Sequence, residues 1–160
     1  MTSMILCPTR GGASSRPNQE KAIALAKERG ADILFLYVSN VQFLGLLASP
    51  VVVDIETELD EMGEFLLTIA QERAEKAGVH AEALVKRGVF RQVLRSIIQD
   101  YPVDAVILGS SQESSSLITP AYTEALGKEI SQETGVEFIV VQDGEIAAIF
   151  KPEGSSLSGA

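Results

Sequence analysis

At 160 residues, with 46% hydrophobic residues, 6% aromatics and no Trp, the chain is sized for one domain built chiefly on Ala, Val, Ile and Leu. That is the mix of parallel strands covered by helices. A formal net charge of −9 without any Lys/Arg cluster argues against non-specific nucleic-acid binding and against docking on an anionic membrane. A single cysteine, Cys7, cannot form an intrachain disulfide and fits a reducing compartment. Met1 leads almost directly into a strand and no apolar run is long enough to span a bilayer, so a cytoplasmic location is expected.

Along the chain, apolar runs alternate with helical patterns. Met4 to Pro8 reads as a short buried strand, followed by a Gly/Ser-rich turn, Thr9 to Ser15. A helix from about Pro17 to Arg29 carries Ala22, Ile23, Leu25 and Ala26 on one face. Ser14 or Ser15 can cap it, Pro17 suits its first turn, and Gly30 ends it. Ile33 to Val38 is a continuous apolar run, as expected inside a sheet. Residues 40–53 read as irregular, and the helical period resumes from Asp54 to Ala77, with Leu59, Met62, Leu66, Ile69, Ala70, Arg73 and Ala74 on the apolar stripe. Gly78 is its stop.

Ala81 to Lys86 forms a less apolar strand, suited to a sheet margin. Phe90 to Gln99 is helical, with Val93, Leu94, Ile97 and Ile98 inward. Asp104 to Leu108 is the fourth strand, ending on Gly109. A Ser-rich loop from Ser110 to Thr119 leads to a helix opened by Pro120 and carrying Tyr122, Ala125, Leu126 and Ile130. After Gly135, Glu137 to Val141 is the fifth strand. Asp143-Gly144 reads as a turn, Ile146 to Phe150 as a sixth strand or an arm, and 151–160 as a disordered tail. The order β-α-β-α-β-α-β-α-β predicts one α/β domain over residues 1–150, a doubly wound parallel sheet with right-handed crossovers.

In such a sheet, ligands bind beyond the carboxyl ends of the strands where strand order reverses. Two small, polar loops have that character, Thr9 to Ser15 and Gly109 to Pro120, and each feeds a helix N-terminus able to hold an anion. Gly and Ser are also ordinary turn residues, so the loops alone leave both readings open.

The first strand and turn, Ile5-Leu6-Cys7-Pro8-Thr9-Arg10-Gly11-Gly12, resemble the opening of the universal stress protein family. Gly30-Ala31-Asp32 before a strand ending in Val38 is similar to that family's second element. Gly88 before a helix, then Val103 to Ser110, resembles its fourth-strand segment, and the last helix with Glu137 to Val141 resembles its close. The resemblance spans about residues 4–141. It implies a five-stranded sheet in the order 3-2-1-4-5 (adenine-nucleotide alpha-hydrolase-like), often a homodimer, and in one branch binding of ATP or AMP, with Mg where ATP is bound. On that pattern, nucleotide contacts would come from Pro8, Thr9, Arg10, Val38, Leu108, Gly109, Ser110, Gln112, Gly127 and Lys128.

Three distinctive positions depart from it. The family's Gly-x2-Gly-x9-Gly-Ser/Thr pattern begins at Gly109, but Gln112 replaces its second glycine. Its final pair corresponds to Gly127-Lys128, 18 residues after Gly109 where the pattern has 13. The Asp after the first strand is Arg10, a donor fork in place of an acceptor. Arg10 and Lys128 would add two cations to the crevice, though Arg10 reads equally well as a solvated loop residue.

Other candidates carry little chemistry. His80 is the lone histidine and has no ligating neighbour, which excludes a zinc site. Cys7 lies in a strand and reads as an inert thiol. Asp54, Glu56, Glu58, Asp60, Glu61 and Glu64 complement a helix N-terminus, and the serines of 110–116 suit a flexible loop. A phosphoacceptor receiver needs acids where Thr9-Arg10-Gly11 and Lys86-Arg87-Gly88 stand, and a flavin site would want flanking aromatics. No general base or metal-binding carboxylate stands out in the two loops, so the expectation is a non-catalytic regulatory domain with at most weak ATP hydrolysis. The alternative is a homodimeric interaction module without nucleotide, with a protein partner in signalling. The dimer contact is expected on the fifth strand and the Ile146 to Phe150 arm.

Overall fold

A computed structural model describes residues 3–9, 15–39, 49–109 and 120–152. The elements run β1 (Met4–Pro8), α1 (Ser15–Arg29), β2 (Asp32–Ser39), α2 (Ser49–Lys76), β3 (Ala81–Arg87), α3 (Phe90–Asp100), β4 (Val103–Gly109), α4 (Pro120–Thr134), β5 (Glu137–Gln142) and β6 (Glu145–Phe150). They build one six-stranded sheet in the order β3-β2-β1-β4-β5-β6. The first five strands are parallel, and β6 returns antiparallel along β5. The order reverses between β1 and β4.

Strands covered on both faces need apolar residues at every position, and β2 shows it: Ile33, Leu34, Phe35 and Leu36 are all fully buried. Alternate residues feed two cores. Ile5, Cys7, Ile33, Phe35, Ile107 and Ile139 pack with Ala22, Ile23 and Ala26 of α1 and with Leu67, Ala70 and Ala74 of α2. Leu6, Leu34, Leu36, Val106, Leu108 and Phe138 pack on the other face with Leu94 and Ile97 of α3 and Leu126 and Ile130 of α4. Each such Leu, Ile or Phe contributes about 1.5–3 kcal/mol relative to exposure.

Helices α1 and α2 end in the same way. Gly30 and Gly78 adopt φ of 64° and 86°. Their N–H groups donate to Lys27 and Glu75, and the next residues, Ala31 and Val79, donate to Ala26 and Ala74. This satisfies carbonyls the helix leaves open and aims the chain into the next strand. At the other end of the molecule, Asp143 and Gly144 both have positive φ, 53° and 80°. That two-residue turn matches strand twist and closes the β5–β6 hairpin.

Two helix expectations are corrected. α2 begins at Ser49, not near Asp54; Pro50 lies in its first turn, where proline's missing N–H costs nothing. Its buried face is Gly63, Leu67, Ala70 and Ala74, whereas Met62 and Ile69, assigned inward by periodicity, are 47% and 37% exposed, beside Phe65 at 66%. The cause is Gly63, which seats the helix on Tyr37: a Cβ there would lie 2.5 Å from the ring. On α4, Ala125 faces out and Thr123 and Gly127 face in.

The segment behind the expected contact between copies on β5 and the Ile146 to Phe150 arm has a place in the sheet. That segment is β6, and it occupies the free edge of β5.

Candidate functional site

The reversal of strand order between β1 and β4 opens a crevice at their carboxyl ends. α1 leaves from the β1 side onto one face of the sheet, and α4 from the β4 side onto the other. The crevice is therefore flanked by the N-termini of two helices, the ends at which a helix presents its positive dipole. Among the described residues, neither helix has an acidic side chain in its first turn to neutralise that end.

Two consecutive residues of α1 fix the strand ends. The Thr9 N–H donates to the Leu36 carbonyl at 2.8 Å, extending the β1–β2 ladder by one residue. The buried Thr9 hydroxyl accepts from the Gln19 Nε2 amide, and Gln19 Oε1 in turn accepts from Arg73 Nη1 on α2. Gln19 shares α1's inward face with Ala22, Ile23 and Ala26, so its amide would be costly to bury unpaired. The string Arg73–Gln19–Thr9 supplies both partners and fixes the end of β1.

Asn18 does the same for β4. Its amide lies directly against Gly109, where a Cβ would come within 2.7 Å of Nδ2. Its Oδ1 accepts the Gly144 N–H at 3.0 Å. One side chain thus joins the end of β4 to the tip of the β5–β6 hairpin. Gly109 is required here for close approach, and the β4 rim of the crevice is backbone.

Pro8, Thr9, Leu108 and Gly109 therefore meet at the reversal point, with Val38 near the end of the adjoining β2, half-buried on the α3–α4 face. Arg10, Ser110 and Gln112 lie outside the described residues. Gly127 and Lys128 are not brought to the crevice. Gly127 is the eighth residue of α4, about 10 Å along the helix from Pro120. It packs on Phe138, near the start of β5, and on Phe150; a Cβ there would meet those rings at 2.9 and 2.5 Å. Lys128 is exposed and paired with Glu124 at 3.0 Å, one turn back on α4. The glycine of that pair packs α4 on two aromatic rings.

Asn18, Gln19, Arg73 and Gly144 were not singled out by sequence motifs. Gln19 did carry a signal, a polar residue on a face otherwise made of alanine and isoleucine, one turn after a Gly/Ser loop. The pairing of Asn18 with a glycine 126 residues away carried none.

Cys7 is buried within β1. Burial pushes the Cys7 thiol up to about 12, so it stays protonated and inert. No group of three or more His, Cys, Asp or Glu that could hold a metal ion occurs among the described residues, and none of their helices is long and apolar enough to cross a membrane.

Comparison with known proteins follows the geometry. The universal stress protein family model matches residues 1–118, a span that includes β1 through β4. Similar solved structures include universal stress protein UspA from Lactobacillus plantarum, 15% identical over 88% of this chain and 97% of that one, TM-score 0.70. A universal stress protein in complex with cAMP is 16% identical over 89% and 98%, TM-score 0.57. The universal stress protein from Archaeoglobus fulgidus in complex with dAMP is 9% identical over 89% and 98%, TM-score 0.55. At these identities the likeness is one of fold. Among curated proteins no significant match was found. With the family model covering most of the chain, the protein belongs to the universal stress protein family.

Proposed function

We propose that the protein is a non-catalytic regulatory domain that binds an adenine nucleotide in the crevice between β1 and β4. The observation that carries this reading is the close seating of Asn18 on Gly109. It leaves backbone, not a bulky side chain, at the β4 rim, and two helix N-termini flank the opening. The cAMP and dAMP complexes of structural relatives support the choice of adenine nucleotide. Binding would be neutral in acid–base terms: Thr9, Pro8 and Gly109 offer hydrogen bonds and close contact, and no described carboxylate cluster supplies a metal. Any Mg accompanying ATP would be held chiefly by its phosphates.

The test is direct. Denaturing the purified protein and analysing the supernatant by chromatography and mass spectrometry shows whether a nucleotide is carried. A thermal-shift titration with ATP, AMP, cAMP and dAMP follows; saturation at a hundredfold excess over Kd should add about 2.7 kcal/mol. Gly109→Val should abolish the shift, and Lys128→Ala should leave it intact. No released nucleotide and no shift overturns the reading.

A second reading, an interaction module acting as a homodimer or on a protein partner, has its own observation. Met62, Phe65 and Ile69 form an exposed apolar stripe on α2, larger in character than scattered surface hydrophobics.

A further inference from the structure

The apolar row on α2 stands on a side of the helix that the domain's own core does not use. Gly63, Leu67, Ala70 and Ala74 are buried, whereas Met62, Phe65 and Ile69 are 47%, 66% and 37% exposed. Their spacing, three residues and then four, sets them in one line over two turns, about 10 Å long. Phe65 is the most exposed large apolar side chain among the described residues. A continuous row of this kind forgoes burial that isolated surface residues do not.

Negative charge borders the row. Glu61 stands one turn before Phe65 and Glu72 one turn after Ile69, with Glu64 and Glu75 close by, and all four are exposed. None of the four is ion-paired among the described residues. The cations of the helix offset them little: Arg73 donates to Gln19 Oε1 of α1, and Lys76 is the last residue of α2. With eight acidic and two basic residues, α2 carries a net −6 in a chain whose total is −9.

We propose that this face of α2 is a docking surface for a basic amphipathic helix of another protein. The partner's apolar side chains lie along Met62, Phe65 and Ile69, and its Lys or Arg residues stand against Glu61, Glu64, Glu72 and Glu75. The proposal rests on the second reading above and gives its partner a chemistry. Charge selects the occupant. A second copy of α2 would set a net −6 against another, and an anionic membrane would be repelled in the same way, whereas a cationic helix gains from the field. A straight row spaced i, i+3, i+7 matches the anchors of a helical partner. No residue of the row belongs to the crevice, so docking and nucleotide binding are measured separately.

Fluorescence anisotropy on the full chain tests it with three labelled synthetic peptides of equal length. One is a Leu/Lys amphipathic helix, one a Leu/Glu helix of the same pattern, and one a scrambled Leu/Lys peptide without an apolar face. The Leu/Lys helix should bind at least about tenfold more tightly than either of the others and weaken as salt is raised. Phe65→Ser should cost at least about tenfold in affinity with no loss of melting temperature, because that side chain is mostly in water. Glu61→Lys combined with Glu64→Lys should weaken binding by about as much. A Leu/Glu helix that binds equally well overturns the basic partner and leaves an interaction surface standing. A Leu/Lys helix that binds Phe65→Ser as tightly as wild type overturns the docking face, and no binding by any peptide removes the second reading on α2 as well. Flotation with phosphatidylglycerol vesicles, or a dimer by sedimentation that Phe65→Ser dissociates, overturns the proposal in favour of a membrane or a second copy.

Discussion

The two margins of the sheet are built on opposite plans. β3 carries three charges in seven residues, Glu82, Lys86 and Arg87, pairs in parallel with β2 through seven residues in register, and is reached by the crossover helix α2. β6 carries one charge in six residues, pairs antiparallel with β5 through a bulge, and is reached by a two-residue turn. Both margins seat a helix on an aromatic ring through a glycine, Gly63 of α2 on Tyr37 and Gly127 of α4 on Phe138 and Phe150. The rings differ in part: Tyr37 and Phe150 are partly buried, whereas Phe138 is fully buried. A strand bristling with charge discourages further pairing, whereas an apolar edge invites it. The β3 side ends in charge, and the β6 side ends in apolar residues that are largely exposed.

On that contrast, the two sides should differ sharply on mutation. The largest effect is expected from Phe138→Ala, which empties a packed site under α4 and should cost about 3–5 kcal/mol in urea unfolding. Leu84→Ala, the half-buried counterpart on β3, should cost well under half as much; equal losses would break the comparison. Next come the glycines. Gly127→Val forces two rings aside and should cost about 3 kcal/mol, whereas Gly63→Val displaces one and should cost about 1 kcal/mol, both read as thermal stability.

Between the margins, Cys7 on β1 supplies a pH-dependent effect. Its thiol is raised from 9.0 to about 12 in the folded protein. Below pH 9 it is protonated in both states and has no influence. Between pH 9 and 12 the unfolded chain ionises and the native one does not, so stability falls as pH rises, by about 1.4 kcal/mol per unit. The difference between wild type and Cys7→Ala in alkaline unfolding isolates that slope, and its absence would place the thiol in contact with water. The smallest effect belongs to the surface. Arg29 of α1 pairs with Glu137 of β5 at 3.0 Å, and Arg29→Ala should cost about 0.5 kcal/mol, a loss that fades in high salt.

Much of the fold was legible because apolar runs and glycine stops recur with so little interruption. Gly30 and Gly78 mark helix ends, Asp143-Gly144 marks a hairpin, and the weak hydrophobicity of Ala81 to Lys86 marks a margin. The strand order itself came through family resemblance, since alternation alone does not say where a parallel sheet turns back. Periodicity failed where a glycine stood in for an apolar residue. Gly63 and Gly127 count for nothing in a hydrophobic pattern, yet each decides which side of its helix is buried. Gly127, singled out by its place after Gly109, lies inside α4 rather than in a loop. Thr9 and Gly109 were readable as strand ends at a reversal. Asn18 and Gln19, which hold them, depend on contacts across the fold that no local pattern encodes.

The β5–β6 turn has a further consequence, in the order of assembly. Its two strands are joined by two residues, while every other pair in the sheet must wait for the closure of a helix-bearing crossover. Hairpins close in about 1–10 μs, and contacts distant in sequence carry a larger loop-closure cost. β5 should thus have its neighbour before β4 arrives, so that a hydrophobic strand meets the rest of the chain with one edge already occupied. Pulse-labelled hydrogen exchange would show this as early protection of β5 and β6 amides, ahead of those in β1.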